Sequence, residues 1–290
     1  MKEAKVIEMD EVAIRFSGDS GDGMQLTGTL FSDASALLGN DISTFPDYPA
    51  EIRAPQGTVG GVSGFQVQFG QKEVNTPGDY AHVLVAMNPA AVKANAKFMK
   101  PGGTIIYDKD AFNEKNFRKA NFTTDDPFTE LNLIDYVKIG VPITELTQES
   151  LKDLGLDNKS ILRSKNMFAL GLVCWMFNRP LDYIEEFITS KFSSKPTVVQ
   201  ANMRVLHAGY NYGMNLQHMT CLLYTSDAAD DLPCVDLGGH RINKKKKNTT
   251  IHLLHILVPH YPFVTLRLHC LHSQFLIIFP SIVSPHYITN

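Results

Sequence analysis

Cysteine is scarce in this chain: four residues in 290, Cys174, Cys221, Cys234 and Cys270, with no C-x-x-C pair among them. Iron–sulfur clusters need grouped thiolates, so that spacing excludes a cluster held by this polypeptide. Long apolar runs are missing too. FLIIFPSIV is broken by Pro280 and earlier stretches by His, Arg or Pro, so no run of roughly twenty apolar residues is available to span a bilayer. The N-terminus MKEAKVIEMDEV is charged and lacks the apolar region of a signal peptide. Neither sign of charge dominates, with 27 Lys and Arg against 30 Asp and Glu. Bulk charge therefore points to neither nucleic acid nor a membrane as partner.

Glycine is concentrated where it carries chemistry. In VAIRFSGDSGDGMQLTG a β-rich run at 12–16 ends in Gly18, Gly21 and Gly23, and an amphipathic helix begins at once. A strand, a glycine turn and a helix start together form an anion site, because the backbone can approach a ligand and free N–H groups point outward. The spacing is G-x-x-G-x-G rather than the dinucleotide pattern G-x-G-x-x-G, and no acidic residue stands where a ribose partner belongs, so NAD is not the expected guest. A structural reading stands beside this one. Asp22 as N-cap with Gln25 three residues on makes a capping box, and Gly18 then only closes a βα turn. Asp19 and Asp22 oppose an anion unless their oxygens turn toward backbone amides.

From Ser43 the chain reads STFPDYPAEIRAPQGTVGGVSGFQVQFG, with prolines and glycines that exclude regular helix and with Glu51 and Arg53 beside Tyr48. The loop is long for a mere connection. It presents a ligand site, or Glu51 and Arg53 brace it internally as an ion pair. Further on, LVAMNP places Asn88 at the carboxyl end of an apolar strand. There it holds a polar group of a ligand, caps the helix that follows, or does both.

IRFSGDSGDGMQLTG, FPDYPAEIRAPQGTVGGVSGFQVQFG and LVAMNP, in that order, resemble the gamma domain of 2-oxoacid:ferredoxin oxidoreductases. The form resembled most is the one fused at the N-terminus of the 2-oxoglutarate:ferredoxin oxidoreductase alpha subunit. The resemblance runs from about residue 12 to about residue 213. It implies oxidative decarboxylation of a 2-oxoacid with ferredoxin as acceptor and coenzyme A as co-substrate. Thiamine diphosphate and iron–sulfur clusters are then expected on partner domains, the alpha-domain continuation and the beta subunit, and not on this chain. The oxygen sensitivity of such enzymes and the scarce cysteine point to the cytoplasm. The turn residues Gly18, Asp19, Ser20, Gly21, Asp22 and Gly23, the element Tyr48, Glu51 and Arg53, and Asn88 are the implied coenzyme A contacts, with no catalytic residue and no metal ligand assigned. Many relatives continue with paired glycines directly after the arginine, whereas Ala54, Pro55 and Gln56 precede Gly57 here. The chain is not expected to be active alone. A free-standing nucleotide-binding Rossmann-like domain or reductase is the alternative.

Composition breaks at Thr220. All ten methionines and eighteen of the twenty glycines precede it, seven of the ten histidines follow it, and no Asp or Glu occurs after Asp236. CLLYTSDAADD from Cys221 and CVDLGGHRIN from Cys234 resemble a translated sequencing-library adapter, and Lys244 to Lys247 read as a run of adenines. That resemblance outweighs the nucleic acid, membrane or metal that a basic cluster and a His-rich tract ordinarily suggest. Residues 1–219 are thus expected to form the gamma domain, and residues 220–290 a non-native tail, disordered or spurious, that adds nothing to the fold.

Within 1–219 the pattern predicts a three-layer α/β domain, flavodoxin- or Rossmann-like, with a helical C-terminal part. Strands are expected at 12–16, 65–69, 82–87, 104–108 and 134–140, with 65–69 and 73–75 forming a hairpin through Gly70 and Gln71. Helices are expected at 24–38, 89–99, 147–154, 159–177, 181–192 and 196–212. Cys174, in the apolar run NMFALGLVCWMF, reads as a core residue.

Overall fold

The computed structural model describes residues 6–51, 54–70, 73–216 and 222–224. Six strands form one sheet in the order β3-β4-β2-β5-β6-β7. They are β2 (Glu11–Asp19), β3 (Asp41–Asp47), β4 (Val62–Gly70), β5 (Ala81–Ala86), β6 (Met99–Asp108) and β7 (Val137–Val141). The β2, β5, β6 and β7 strands run parallel, while β4 lies antiparallel to both β2 and β3. Alternation along the strands splits the side chains between two faces. Val12, Ile14 and Phe16 of β2 and Val83 and Val85 of β5 join the larger core; Leu84 and Ala86 of β5 and Ile105 of β6 join the smaller one.

Helices cover both faces, as a largely parallel sheet requires. The larger core is closed by α1 (Met24–Leu37), α5 (Ile143–Leu151), α7 (Lys165–Met176), α8 (Asp182–Lys191) and α9 (Pro196–Leu216). The opposite face carries α2 (Pro89–Asn95), α3 (Glu114–Lys119) and α4 (Pro127–Glu130). The remaining helix, α6 (Asn158–Arg163), leads into α7. This is the expected three-layer α/β architecture. Cys174 is fully buried in α7, and burial pushes its thiol up to about 12, which makes it a core residue. Among the described residues no helix is long and apolar enough to cross a membrane.

Four expectations need correction. The hairpin at 65–75 does not form: β2 and β3 occupy both edges of β4, so residues 73–75 have no edge to pair with. Ser43 to Asp47 belong to β3, an edge strand that tolerates Pro46, and not to an irregular loop. The long helix at 159–177 is two helices, 158–163 and 165–176, separated at Ser164, where no glycine or proline marks the break. The short helix at 147–154 begins earlier, at Ile143 after Pro142, and tightens to a 3-10 turn at Lys152–Leu154. Of residues 220–290 the structure describes Leu222–Tyr224, as strand β8, paired in parallel with β1 (Val6–Glu8). The expectation that nothing after residue 219 joins the fold does not extend to these three.

Candidate functional site

The glycine turn sits at the carboxyl end of β2, where a parallel sheet gathers its ligands. Its interior is held by its own carboxylates. Asp22 does not cap α1; its Oδ2 accepts from the Asp19 N–H at 2.9 Å, and its Oδ1 lies 3.7 Å from the Lys165 Nζ. The N-cap of α1 is Gly23, in the left-handed region at φ 75° and without a side-chain capping bond. Gln25 is likewise not part of a capping box. Its Nε2 donates to the carbonyls of Asp47 and Gly64 and to the Ser63 hydroxyl, which fastens the start of the next loop. Strand β2 therefore delivers the turn, and α1 starts directly from its last glycine, Gly23.

The Asp19 carboxylate faces the other way and accepts the Gly57 N–H at 3.1 and 3.0 Å on its two oxygens. Burial pushes this carboxyl above its ordinary range, while the Gly57 amide and the Asn88 side chain pull it back as hydrogen-bond donors. Asn88 caps α2 as well, its Oδ1 accepting from the Ala91 N–H at 2.8 Å. Capping and proximity to the turn hold together, as both readings of this residue allowed.

Beside the turn lies a cleft of about 650 Å³, lined by Asp19, Gly21, Asp22, Gln56, Gly57 and Asn88 on the turn side. The rest of its lining is largely basic and polar: Asn116 and Lys119 of α3, Lys159 and Arg163 of α6, and Lys165. Lys159 and Arg163 stand four residues apart and so share one helix face. Among the described residues Lys165 reaches Asp22, whereas Lys119, Lys159 and Arg163 form no ion pair. A smaller cavity of about 150 Å³ adjoins, lined by Asp19, Ser20, Gly21, Glu51, Gln56 and neighbours. Three cations without carboxylate partners, next to an acidic turn whose oxygens are already engaged, suit a multiply charged anion such as a phosphate ester.

The residues matched by the pyruvate ferredoxin/flavodoxin oxidoreductase family run from 13 to 212. The chain belongs to that family. It is 49% identical over 205 residues to the 2-oxoglutarate oxidoreductase subunit KorA of Mycobacterium tuberculosis, a match that covers 71% of this chain and 31% of that protein. It is 26% identical over 210 residues to the ketoisovalerate oxidoreductase subunit VorA of Methanothermobacter marburgensis, covering 71% of this chain and 37% of that one. Among solved structures it resembles the 2-oxoglutarate:ferredoxin oxidoreductase of Magnetococcus marinus, solved with 2-oxoglutarate, coenzyme A and succinyl-CoA bound. The TM-score is 0.57 at 25% identity, over 76% of this chain and 34% of that one. The chain thus spans about a third of the length of the relatives it matches.

In this oxidoreductase-family chain the structure gathers some of the sequence-predicted residues and leaves others aside. Asp19, Gly21, Asp22 and Asn88 line the larger cavity, and Asp19, Ser20, Gly21 and Glu51 the smaller. Gly18 and Gly23 line neither. A Cβ on Gly18 would meet the Asp22 carboxylate, and one on Gly23 would meet the Asn166 side chain, so both glycines serve close packing. Asn166 is buried against the first turn of α1, and the lining of the cleft stops at Asp22. The charged donors lining the cleft are thus side chains of α3, α6 and α7. Tyr48 is 70% exposed and faces neither cavity. Arg53 lies outside the described residues, and with it the ion pair expected with Glu51. Lys119, Lys159 and Arg163 were not legible as site residues, since each belongs to an ordinary polar helix face and only the fold brings them together.

Proposed function

We propose that this chain is the N-terminal module of a 2-oxoglutarate (2-oxoacid):ferredoxin oxidoreductase alpha subunit and that its cleft holds coenzyme A. The observation that carries the reading is the trio Lys119, Lys159 and Arg163, three cations with no carboxylate partner among the described residues, around a cleft at the ends of β2 and β5. Coenzyme A brings phosphate groups of matching sign, and a structurally similar family member was solved with that molecule bound. Thiamine diphosphate and iron–sulfur clusters would reside on the alpha-domain continuation and the beta subunit, which pass electrons to ferredoxin. This chain's own residues would bind and orient the co-substrate, and residues 1–219 would suffice for that. Asn88 and Asn116 would supply neutral donors, and the side chains of Lys119 and Arg163 charged ones.

Gly21 provides a clean test. It lines both cavities, its φ lies outside the left-handed region, and a Cβ there would meet nothing within 4 Å. Gly21→Val should therefore leave the melting temperature unchanged and put an isopropyl group into the space lined by the turn. Titration calorimetry of coenzyme A against the full chain is expected to show at least a tenfold loss for Gly21→Val. Removing a charge-assisted bond costs about 1.5–3 kcal/mol, so Lys119→Ala and Arg163→Ala should each lose about tenfold or more. Folded variants that all bind with the parent affinity would take the ligand out of this cleft.

A further inference from the structure

Between the two cavities runs a short strap, residues 54–57, whose Gln56 contributes to both. Internally it is a tight turn, in which the Pro55 carbonyl accepts from the Thr58 N–H at 3.3 Å and from its hydroxyl at 2.7 Å. At Gly57 the backbone takes φ +84° and lies on the stem of Lys119, where a Cβ would come within 3.1 Å of that side chain. Two ties join this region to the glycine turn among the described residues. One is the Ser20 N–H to the Gly61 carbonyl at 3.2 Å; the other is the Gly57 N–H shared by the two oxygens of Asp19.

We propose that Asp19 is a positioning residue: its carboxylate, both oxygens on the Gly57 amide, latches the 54–57 strap against the glycine turn and maintains the wall between the two cavities it borders, acting on the ligand through that strap. A free carboxylate beside Lys119, Lys159 and Arg163 would neutralise the cations that an anion needs. Here both oxygens are turned onto the Gly57 amide, and the Asp22 Oδ2 is turned onto the Asp19 amide in the same way. The turn's negative charge is thereby used to fix backbone, and the basic wall is left for the guest. The strap in turn carries Gly57 over Lys119, so the latch also sets where that ammonium stands. A half-buried carboxylate raised above its ordinary range by burial is costly to retain at neutral pH, which accords with a positioning task.

The test has two arms, of which only the second rests on the coenzyme A reading. In the first, amide hydrogen exchange of the peptide covering 54–61 is followed by mass spectrometry in the full chain, in Asp19→Ala and in Asp19→Asn. Loss of the acceptor in Asp19→Ala should speed exchange there about tenfold or more, with α7 unchanged, while Asp19→Asn keeps one acceptor oxygen and should stay within about threefold of the parent. In the second, coenzyme A affinity should fall about tenfold in Asp19→Ala and recover in Asp19→Asn. Unchanged exchange in Asp19→Ala overturns the latch. Tighter coenzyme A binding in both variants with unchanged exchange would instead show Asp19 facing the ligand as a repelling charge. Faster exchange in Asp19→Ala together with no coenzyme A binding by the parent chain leaves the latch standing and removes the coenzyme A reading.

Discussion

His82, on β5 at the end of the sheet away from the cleft, is a residue whose charge state bears on stability near neutral pH. Its Nδ1 accepts the Ala13 N–H at 3.0 Å and its Nε2 lies 3.0 Å from the Lys100 Nζ. In the imidazolium both ring nitrogens carry hydrogens, so both would face donors. Burial pushes the ring below its ordinary range, Lys100 adds to that, and Glu11 opposes it. A histidine depressed in the folded state is protonated first in the unfolded chain, whose imidazole titrates near about 6.5. Its stabilising contribution is complete above that value and declines as pH falls through it toward the folded value. Asp19 and Asp108 are both raised by burial and act in the opposite sense, adding stability in acid that is lost as pH rises through their folded values. Their window opens from about 4 upward, where the unfolded carboxylates titrate, so a loss just below 6.5 has the sign of His82 and not of these carboxylates. Melting temperature between pH 5 and 7.5 should fall toward acid in the parent chain and flatten in His82→Asn; parallel curves would show that this ring does not titrate as its contacts require.

At the scale of elements, the tightest junction is the crossing of α7 and α9. Gly171 and Gly209 let the helices meet backbone to backbone: a Cβ on Gly171 would overlap the Leu206 carbonyl, and one on Gly209 the Phe168 carbonyl. Gly209→Ala gains about 1 kcal/mol of helix propensity, but the overlap forces α9 outward, and overpacking of this kind costs about 1–3 kcal/mol. The net expectation is a destabilisation of up to about 2 kcal/mol, read as a melting temperature lower by up to about 8 °C for a domain of this size; a raised value would mean the helices separate freely. Elements marked by local chemistry were legible in the sequence. The β2 strand, α1, β5 and Pro89 opening α2 announce themselves by alternation, glycine and proline. The α6–α7 break at Ser164 and the β3 edge strand were not, because one has no breaker residue and the other contains a proline that ordinarily argues against a strand. The site divides along the same line. Glycines and Asp19 stand in one contiguous motif, whereas Lys119, Lys159 and Arg163 depend on where α3 and α6 end up around the sheet, and no local pattern carries that information.

For the whole molecule, the open question is what the chain beyond Met219 contributes. Among the described residues the larger cluster draws on β2, β4, β5, β6, β7, α1, α5, α7, α8 and α9, and Leu206 of α9 is its last fully buried member. Against this stands the β1–β8 ladder, in which Val6, Ile7 and Glu8 pair with Leu222, Leu223 and Tyr224. It forms a separate two-stranded sheet, and a pair of strands that short is marginal without further strands or a large packed face. Conformational entropy decides between the two. Ordering each residue costs about 1–2 kcal/mol of backbone freedom, so three residue pairs of hydrogen bonds at about 1 kcal/mol each return little net stability. Cutting the chain after Met219 should therefore lower stability by less than about 2 kcal/mol, within the range of ordinary single substitutions. Coenzyme A affinity should be retained, since every cleft residue precedes the cut. Denaturant unfolding of the full and shortened chains, with calorimetry on both, measures the two quantities together. A loss well above 2 kcal/mol would make β8 an integral strand, and a loss of affinity alone would place part of the ligand site beyond residue 219.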